Sequence, residues 1–407
     1  MTRSLINATA CLLIAASAAL PLAGCSGHGK YTTEGISLAK TRLDTLKAAT
    51  EFDMAKQAFL AGDLDKASRK CDKASRLSPG FSRVDVLRGR IAIERGLMGE
   101  ALLSLRSAIE KNKESVDANY YLGVVSERLN ENEQAQAYFR RAAELEPHNP
   151  QYAVAAGEML IDLGRTSDAE EFLESCESAS HSAGVQQLLG HIALIDHNAE
   201  LACERFGRAR LLAPDDGAIL DDLAAAQMAA GRFADAERNL RHLLEDPKNE
   251  DRADLLHMRA ECLLALGRPV DAREIYRGLT AGDGASDVRS WIGRARADFQ
   301  IGDDRGCLRA ATRVLAIDPS MAEGYMLQAA VHRSRGENAA AIEKLDAGLM
   351  RAGRDTDLLS MRALVLSELG RKGEALAAAQ AALAIEPGNT NAQRMVGVLA
   401  VASVPVD

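Results

Sequence analysis

Small apolar residues return down the chain at a near-constant step, each set among apolar and polar positions at helical spacing. The series runs Ala67, Ala101, Ala135, Ala169, Ala202, Ala236, Ala272, Cys307, Ala341 and Ala375. Its steps are 34, 34, 34, 33, 34, 36, 35, 34 and 34 residues. Other positions keep the same register. Twelve residues before each marker stands a second small residue: Ala55, Gly89, Gly123, Gly157, Gly190, Ala224, Ala260, Ala295, Ala329 or Ala363. Five before it stands a glycine, except that Asn130 and His197 replace it twice. Twelve after it, Pro79, Pro147, Pro214, Pro319 and Pro387 recur. Two small sites per period let two helices approach closely. The glycine accepts the left-handed conformation that ends the first helix. The proline has no backbone donor and stops the second. A fixed period of this length predicts a stacked helical repeat, in which each unit touches only its neighbours.

The pattern resembles the tetratricopeptide repeat, a helix-turn-helix unit of about 34 residues. Residues 116–149 match best, with Asn119, Leu122, Gly123, Asn130, Ala135, Phe139, Ala142 and Pro147 at the family's marked positions. The unit beginning at Val288 carries the family's tryptophan, Trp291, then Gly302, Ala311 and Pro319. Ten units in phase fit within 48–389. Leu or Met often replaces the large aromatic positions, in keeping with an aromatic content of 4%. The resemblance implies an all-α, right-handed solenoid of about twenty helices. Residues 390–407 then supply a capping helix and tail, with Met395, Val396 and Leu399 covering the last repeat.

The beginning of the chain reads differently. Arg3 is followed by an apolar run over residues 8–20, then Leu22, Ala23, Gly24 and Cys25. A basic start, a short apolar stretch and small residues before a cleavage point describe a secretory signal over 1–24. The run is too short for a spanning helix. Its last four residues resemble the bacterial lipoprotein box, which implies that Cys25 becomes an acylated N-terminus. Ser26 resembles the outer-membrane choice in Gram-negative sorting. Residues 26–35 are small and polar and read as a flexible tether. From Ile36 the spacing of Ile36, Leu43, Leu46 and Ala49 turns partly helical, so 25–47 holds the lipidated cysteine, the tether and the start of an N-terminal helix.

Charge narrows the partners. Without residues 1–24 the net charge is −10, one below the −9 of the whole chain. That opposes general nucleic-acid binding, which needs clustered positive charge. Five cysteines lie beyond the signal and Cys25: Cys71, Cys176, Cys203, Cys262 and Cys307. Cys71, Cys176 and Cys307 occupy small interior positions of the repeat, where a thiol behaves as a small apolar group. Neither a phosphate loop nor a GxSxG or HExxH motif is present. His257 and Glu261 share a helix face and read as an exposed polar contact rather than a metal site. His181, His191 and His197 read as surface residues. No catalytic residue, cofactor or metal is expected.

In the resembled family, positions 2, 5, 9, 12 and 13 of each unit line a concave groove. In the first three units they hold Phe52, Lys56, Phe59, Arg83, Val86, Arg90, Ile93, Tyr120, Val124 and Arg128, against Glu94, Asp117 and Glu127. In units four to seven they hold Glu158, Asp162, Asp221, Asp254 and Glu261 with almost no Lys or Arg. Arg289 and Arg296 return in the eighth beside Phe299. The expected groove is therefore zoned: cationic and aromatic near the tether, acidic beyond. The resemblance implies a protein or peptide partner in that groove, with membrane attachment through lipid, and no oligomeric state follows. The functional expectation is a lipid-anchored scaffold on the periplasmic face of the envelope, serving pilus or secretion-channel assembly. Exopolysaccharide export or cell-wall enzymes are alternative clients. An enzyme or sensor using a Cys or His257 is the alternative of another class.

Overall fold

The computed structural model describes residues 30–401, and every regular element among them is helical. The expected signal over 1–24, Cys25 and the end of the tail lie outside the described residues. The chain divides into two compact units, residues 1–169 and 170–407, and each is described by itself.

The first unit holds α1 (Lys30–Leu60), α2 (Leu64–Leu77), α3 (Ser82–Glu94), α4 (Met98–Lys111), α5 (Val116–Arg128), α6 (Asn132–Leu145), α7 (Pro150–Asp162) and the first residues of α8 (Thr166–Ser175). The second continues with α9 (Ala183–Ile195), α10 (Ala199–Leu212), α11 (Gly217–Ala229), α12 (Phe233–Leu244), α13 (Ala253–Ala265) and α14 (Pro269–Leu279). After a 3-10 turn at Gly282–Ser286 come α15 (Val288–Ile301), α16 (Asp304–Ile317), α17 (Ala322–Ser334), α18 (Asn338–Arg351), α19 (Thr356–Glu368), α20 (Lys372–Ile385) and α21 (Thr390–Val401). Odd and even helices alternate as the two arms of each repeat. The markers Ala67 through Ala375 all sit on even helices, and each is fully buried. The small residues twelve positions earlier sit on the odd helices and are buried too.

These two small sites do different work. Where the odd helix carries glycine, the even helix inserts a large side chain four residues after its marker. An added Cβ on Gly89 would lie 2.5 Å from Leu105, on Gly123 2.5 Å from Phe139, and on Gly190 2.7 Å from Phe206. Leu105, Phe139 and Phe206 are themselves buried. Removing the side chain from one helix thus makes the socket that receives the knob of the next.

The turn inside every pair has the same backbone. Eight glycines at this position have positive φ, and so do the two exceptions, Asn130 and His197, each at φ 58°. At His197 the amide donates to the Leu194 carbonyl at 3.1 Å, and the Asn198 amide donates to Ala193 at 2.8 Å. That pair of bonds closes a left-handed helix end. A side chain with a Cβ pays about 1–2 kcal/mol for this conformation, less for asparagine. His197→Gly is therefore expected to raise stability by about 0.5–1 kcal/mol after the added freedom of the unfolded chain is counted. Asn130→Gly should gain less, and denaturant midpoints of the two variants check the order.

The period lengthens where the turns between repeats lengthen. Residues 245–252 form an irregular loop before α13, and the 3-10 turn intervenes before α15. Trp291 on α15 holds that turn, its indole N–H donating to the Ala285 carbonyl at 3.0 Å. At the far end α21 covers the last pair: Leu399 is buried, and Met395 and Val396 pack on the cluster of Leu358, Val365 and Ala375. The start of the chain departs from the sequence expectation. Helix α1 already begins at Lys30, so the stretch read as a tether to Gly35 is helical over its second half. A single glycine costs about 1 kcal/mol in a helix, which a continuous 31-residue helix absorbs.

Candidate functional site

Within each unit, successive odd helices pack directly on one another: α1 on α3 and α3 on α5, and separately α13 on α15, α15 on α17, α17 on α19 and α19 on α21. Successive even helices meet less. The odd helices form the closer-spaced layer, which is the inner one.

In the first unit that layer carries a linked set of rings and guanidinium groups. The Phe52 and Phe81 rings lie 5.2 Å apart. Arg83 stands over Phe52 at 5.0 Å. Arg90 lies between two rings, 4.7 Å from Phe59 on α1 and 4.9 Å from Tyr121 on α5. Tyr121 packs edge-on against Tyr120 at 5.2 Å, and Tyr120 reaches Tyr152 at 5.2 Å and Phe139 at 5.6 Å. Half of the chain's 16 aromatic residues fall between Phe52 and Tyr152, which is why the platform forms here. Burial pushes the Tyr121 hydroxyl above its ordinary pKa, against the opposing pull of Arg90.

The cations at the marked positions of this layer have no acidic partner among the described residues. Among the described residues Lys56, Arg83, Arg90 and Arg128 form no ion pair, whereas neighbouring basic residues do: Arg88 with Asp72 at 2.6 Å, Arg95 with Asp65 at 2.5 Å, and Lys111 with Asp85 at 2.5 Å. A guanidinium resting on a ring keeps its charge and its N–H donors for another group. Lys56, Arg83 and Arg128 are exposed; Arg90, Phe59, Tyr120 and Val124 are half-buried. Phe52, Val86 and Ile93 are not groove-lining: all three are buried in the core, Phe52 at 7% exposure beneath Arg83. Sequence spacing places them on the right face, but packing encloses them, Phe52 against Arg83 and Phe81 and the other two in the cluster of Leu105 and Leu122. Phe81, Tyr121 and Tyr152 belong to the platform and were missed, because they fall outside the five marked positions. The adjacency of Tyr121 to Tyr120 was the available signal.

The acidic series divides between the units. In the first, the Glu158 carboxyl is held above the usual carboxylate range by partial desolvation and by repulsion from Glu127 and Asp162. In the second, the expected bare acidic zone is neutralised. Arg252, at the start of α13, binds Asp221 at 2.7 Å and Asp254 at 2.5 Å. Its guanidinium holds Asp254 below the usual range and is itself pushed above its ordinary value. Glu261 pairs with Arg289 at 2.8 Å. Arg252 escaped notice because it occupies the helix cap rather than a marked position.

The thiols with large shifts are held protonated by burial. Burial pushes Cys71 up to about 11 and Cys262 and Cys307 up to about 12, the opposite of an activated thiolate. His257 is buried rather than exposed. Its Nε2 lies 3.1 Å from both Asp287 Oδ2 and Ser290 Oγ, and Ser290 donates to Asp287. The three residues of a catalytic triad are present, but serine and aspartate meet the same ring nitrogen, and Ser290 is fully buried. Asp287 instead caps α15, accepting from the Arg289 and Ser290 amides. Among the described residues no three His, Cys, Asp or Glu side chains gather to hold a metal.

Comparison with known proteins agrees with the helical repeat. The family described as tetratricopeptide repeat matches residues 126–182 and 222–287. Those two segments are tetratricopeptide repeats. A solved tetratricopeptide repeat protein from Parabacteroides merdae superposes with a TM-score of 0.52 at 16% identity, over 61% of this chain and 98% of that one. Another solved structure is PilW, titled a type IV pilus biogenesis factor, with a TM-score of 0.41 at 19% identity over 49% and 93%. Among curated proteins, anaphase-promoting complex subunit 3 of Schizosaccharomyces pombe is 25% identical over 152 residues, which is 37% of this chain. The match spans 23% of that relative's length. A tetratricopeptide solenoid is a scaffold for protein–protein interaction, and this chain has the architecture of one.

Proposed function

We propose that this scaffold is lipid-anchored through Cys25 on the periplasmic face of the outer membrane and serves the assembly of a pilus or secretion channel. We further propose that it holds its partner on the inner layer of the first three repeats. The observation that carries the binding site is a pair of guanidinium groups on aromatic faces, Arg83 over Phe52 and Arg90 between Phe59 and Tyr121, with Lys56 and Arg128 beside them and none of the four in an ion pair among the described residues. Aromatic and arginine side chains are the types that dominate interface energetics. The partner segment that fits is acidic, with carboxylates for the guanidinium donors and apolar groups for Phe59 and Tyr120. The lipoprotein-like box at 22–25 supports the address, and the repeat architecture supports the scaffold role.

A photo-crosslinking residue in place of Lys56, used in intact cells, should trap a protein partner. Arg83→Glu with Arg90→Glu should weaken that partner's binding by at least about thirty-fold and reduce its salt dependence. Asp221→Lys with Glu261→Lys should do little, since both carboxylates already have arginine partners. If the second pair abolishes binding and the first leaves it intact, the site lies elsewhere.

A further inference from the structure

Helix α1 extends well beyond its own repeat, and its leading part is open to solvent. Residues 33–43 are exposed without a break, and the first fully buried position is Ala48. Yet this overhang is not uniformly polar. Ile36, Leu43 and Leu46 are 54%, 50% and 68% exposed. With Ala39 they fall at heptad positions a, d, a and d, so they share one face of the helix. The opposite face carries Ser37, Thr41 and Thr45. Thr41 donates to the Ser37 carbonyl at 3.0 Å and Thr45 to the Thr41 carbonyl at 2.9 Å, so both threonine hydroxyls are satisfied within the helix. Leu38 alone among the large apolar residues falls outside the stripe.

Charge decides what the stripe fits. The positions flanking it, e and g, hold Lys40, Lys47 and Arg42. The acidic residues of the overhang, Glu34 and Asp44, fall at f and b, away from its edges. A second copy is a poor occupant. The stripe spans under two heptads, against the three to four that a coiled coil sustains. Pairing two copies would also set Arg42 of one against Lys47 of the other. An anionic lipid surface suits the same features: apolar side chains enter the headgroup boundary while flanking cations reach the phosphates.

We propose that residues 36–47 of α1 form an interfacial helix that lies on anionic phospholipid, with Ile36, Leu43 and Leu46 inserted and Lys40, Arg42 and Lys47 on headgroup phosphates. This rests on the lipid-anchor reading of Cys25, which stands five positions before the helix begins. Even fully extended between them, Cys25 and Ile36 are at most about 27 Å apart, so an acylated cysteine keeps the stripe at the bilayer. The consequence is a repeat array set in orientation by a rigid helix rather than hung on a flexible tether.

The test uses the full mature protein, purified from membranes and reconstituted in vesicles of phosphatidylcholine and phosphatidylglycerol at 3:1 or of phosphatidylcholine alone. An environment-sensitive fluorophore is placed through Leu43→Cys or, on the opposite face, Thr41→Cys, with Cys176→Ser in both. On the anionic vesicles the label at 43 should shift to the blue and be about five-fold less quenched by iodide than the label at 41. The difference should shrink in 0.5 M salt and in the K40E/R42E/K47E variant. Equal quenching of both labels overturns the proposal. So does protection at 43 that persists in detergent together with crosslinking between two copies at that position, which would make the stripe a contact between copies. Intact mass separates the two readings. Unacylated protein that still shields position 43 refutes the anchor and leaves the stripe, while acylated protein without shielding refutes the stripe and leaves the anchor.

Discussion

Phe139→Ala is expected to cost about 3–5 kcal/mol, as loss of a fully enclosed ring does when the surroundings relax only in part. The ring is 1% exposed, and it fills the socket left by Gly123 while touching Tyr120. The socket makes the converse change costly too. Alanine is about 1 kcal/mol better than glycine in a helix. Gly123→Ala should nonetheless destabilise by about 1–3 kcal/mol, because its Cβ would lie 2.5 Å from the Phe139 ring and the ring is boxed in by its own neighbours. The double variant separates this account from simple additivity. With the ring gone the new methyl partly fills the cavity, so Gly123→Ala with Phe139→Ala should be more stable than the sum of the singles predicts, by at least about 1 kcal/mol. Denaturant titration gives the energies. Hydrogen exchange should place the loss in α5 and α6, since a repeat shares its contacts only with its neighbours. Additive effects would mean that the two sites do not pack as a knob and socket.

Cys25→Ser is expected to move the protein out of the membrane fraction, or to leave it as a precursor carrying residues 1–24. Each buried methylene of an acyl chain contributes about 0.8 kcal/mol, so one chain holds weakly while two or three anchor almost permanently. No described helix is long and apolar enough to cross a membrane and take over that role. The stripe on α1 is expected to orient the protein rather than retain it, because it buries few side chains. Fractionation with intact mass reads the outcome directly: the wild-type mass should fit an acylated Cys25, and the variant should lose it. Normal fractionation and processing of the serine variant would refute the anchor.

The two sets of substitutions probe different layers of one design. The knob-and-socket pairs keep adjacent helices at a fixed spacing. That spacing puts α1, α3 and α5 side by side, and so places Arg90 between Phe59 and Tyr121. Damage to Phe139 should therefore lower partner binding as well as stability, because Tyr120 leans on its ring. Arg83→Glu with Arg90→Glu should lower binding far more than the denaturation midpoint, since the fold loses only ring contacts near its surface.

What the amino-acid sequence by itself determined is the repeat: its period, its helix pairs, its buried markers and its turns. Those features depend on residues close along the chain. Even Asn130 and His197, which broke the glycine pattern, adopt the left-handed turn, because the bonds that close it come from within the same few residues. The tertiary structure alone decided which groups are free to act. Arg252 reaches Asp221 across 31 positions and Glu261 meets Arg289 across 28, so the apparent acidic zone of the second unit is already paired. Phe52 and Ile93 stand at groove positions yet lie in the core, while Tyr121 and Phe81 stand outside them and join the platform. A helical pattern states which face a residue takes. Whether that face meets solvent, a ring or an opposite charge depends on the next repeat, some thirty residues away, and only packing brings the two together.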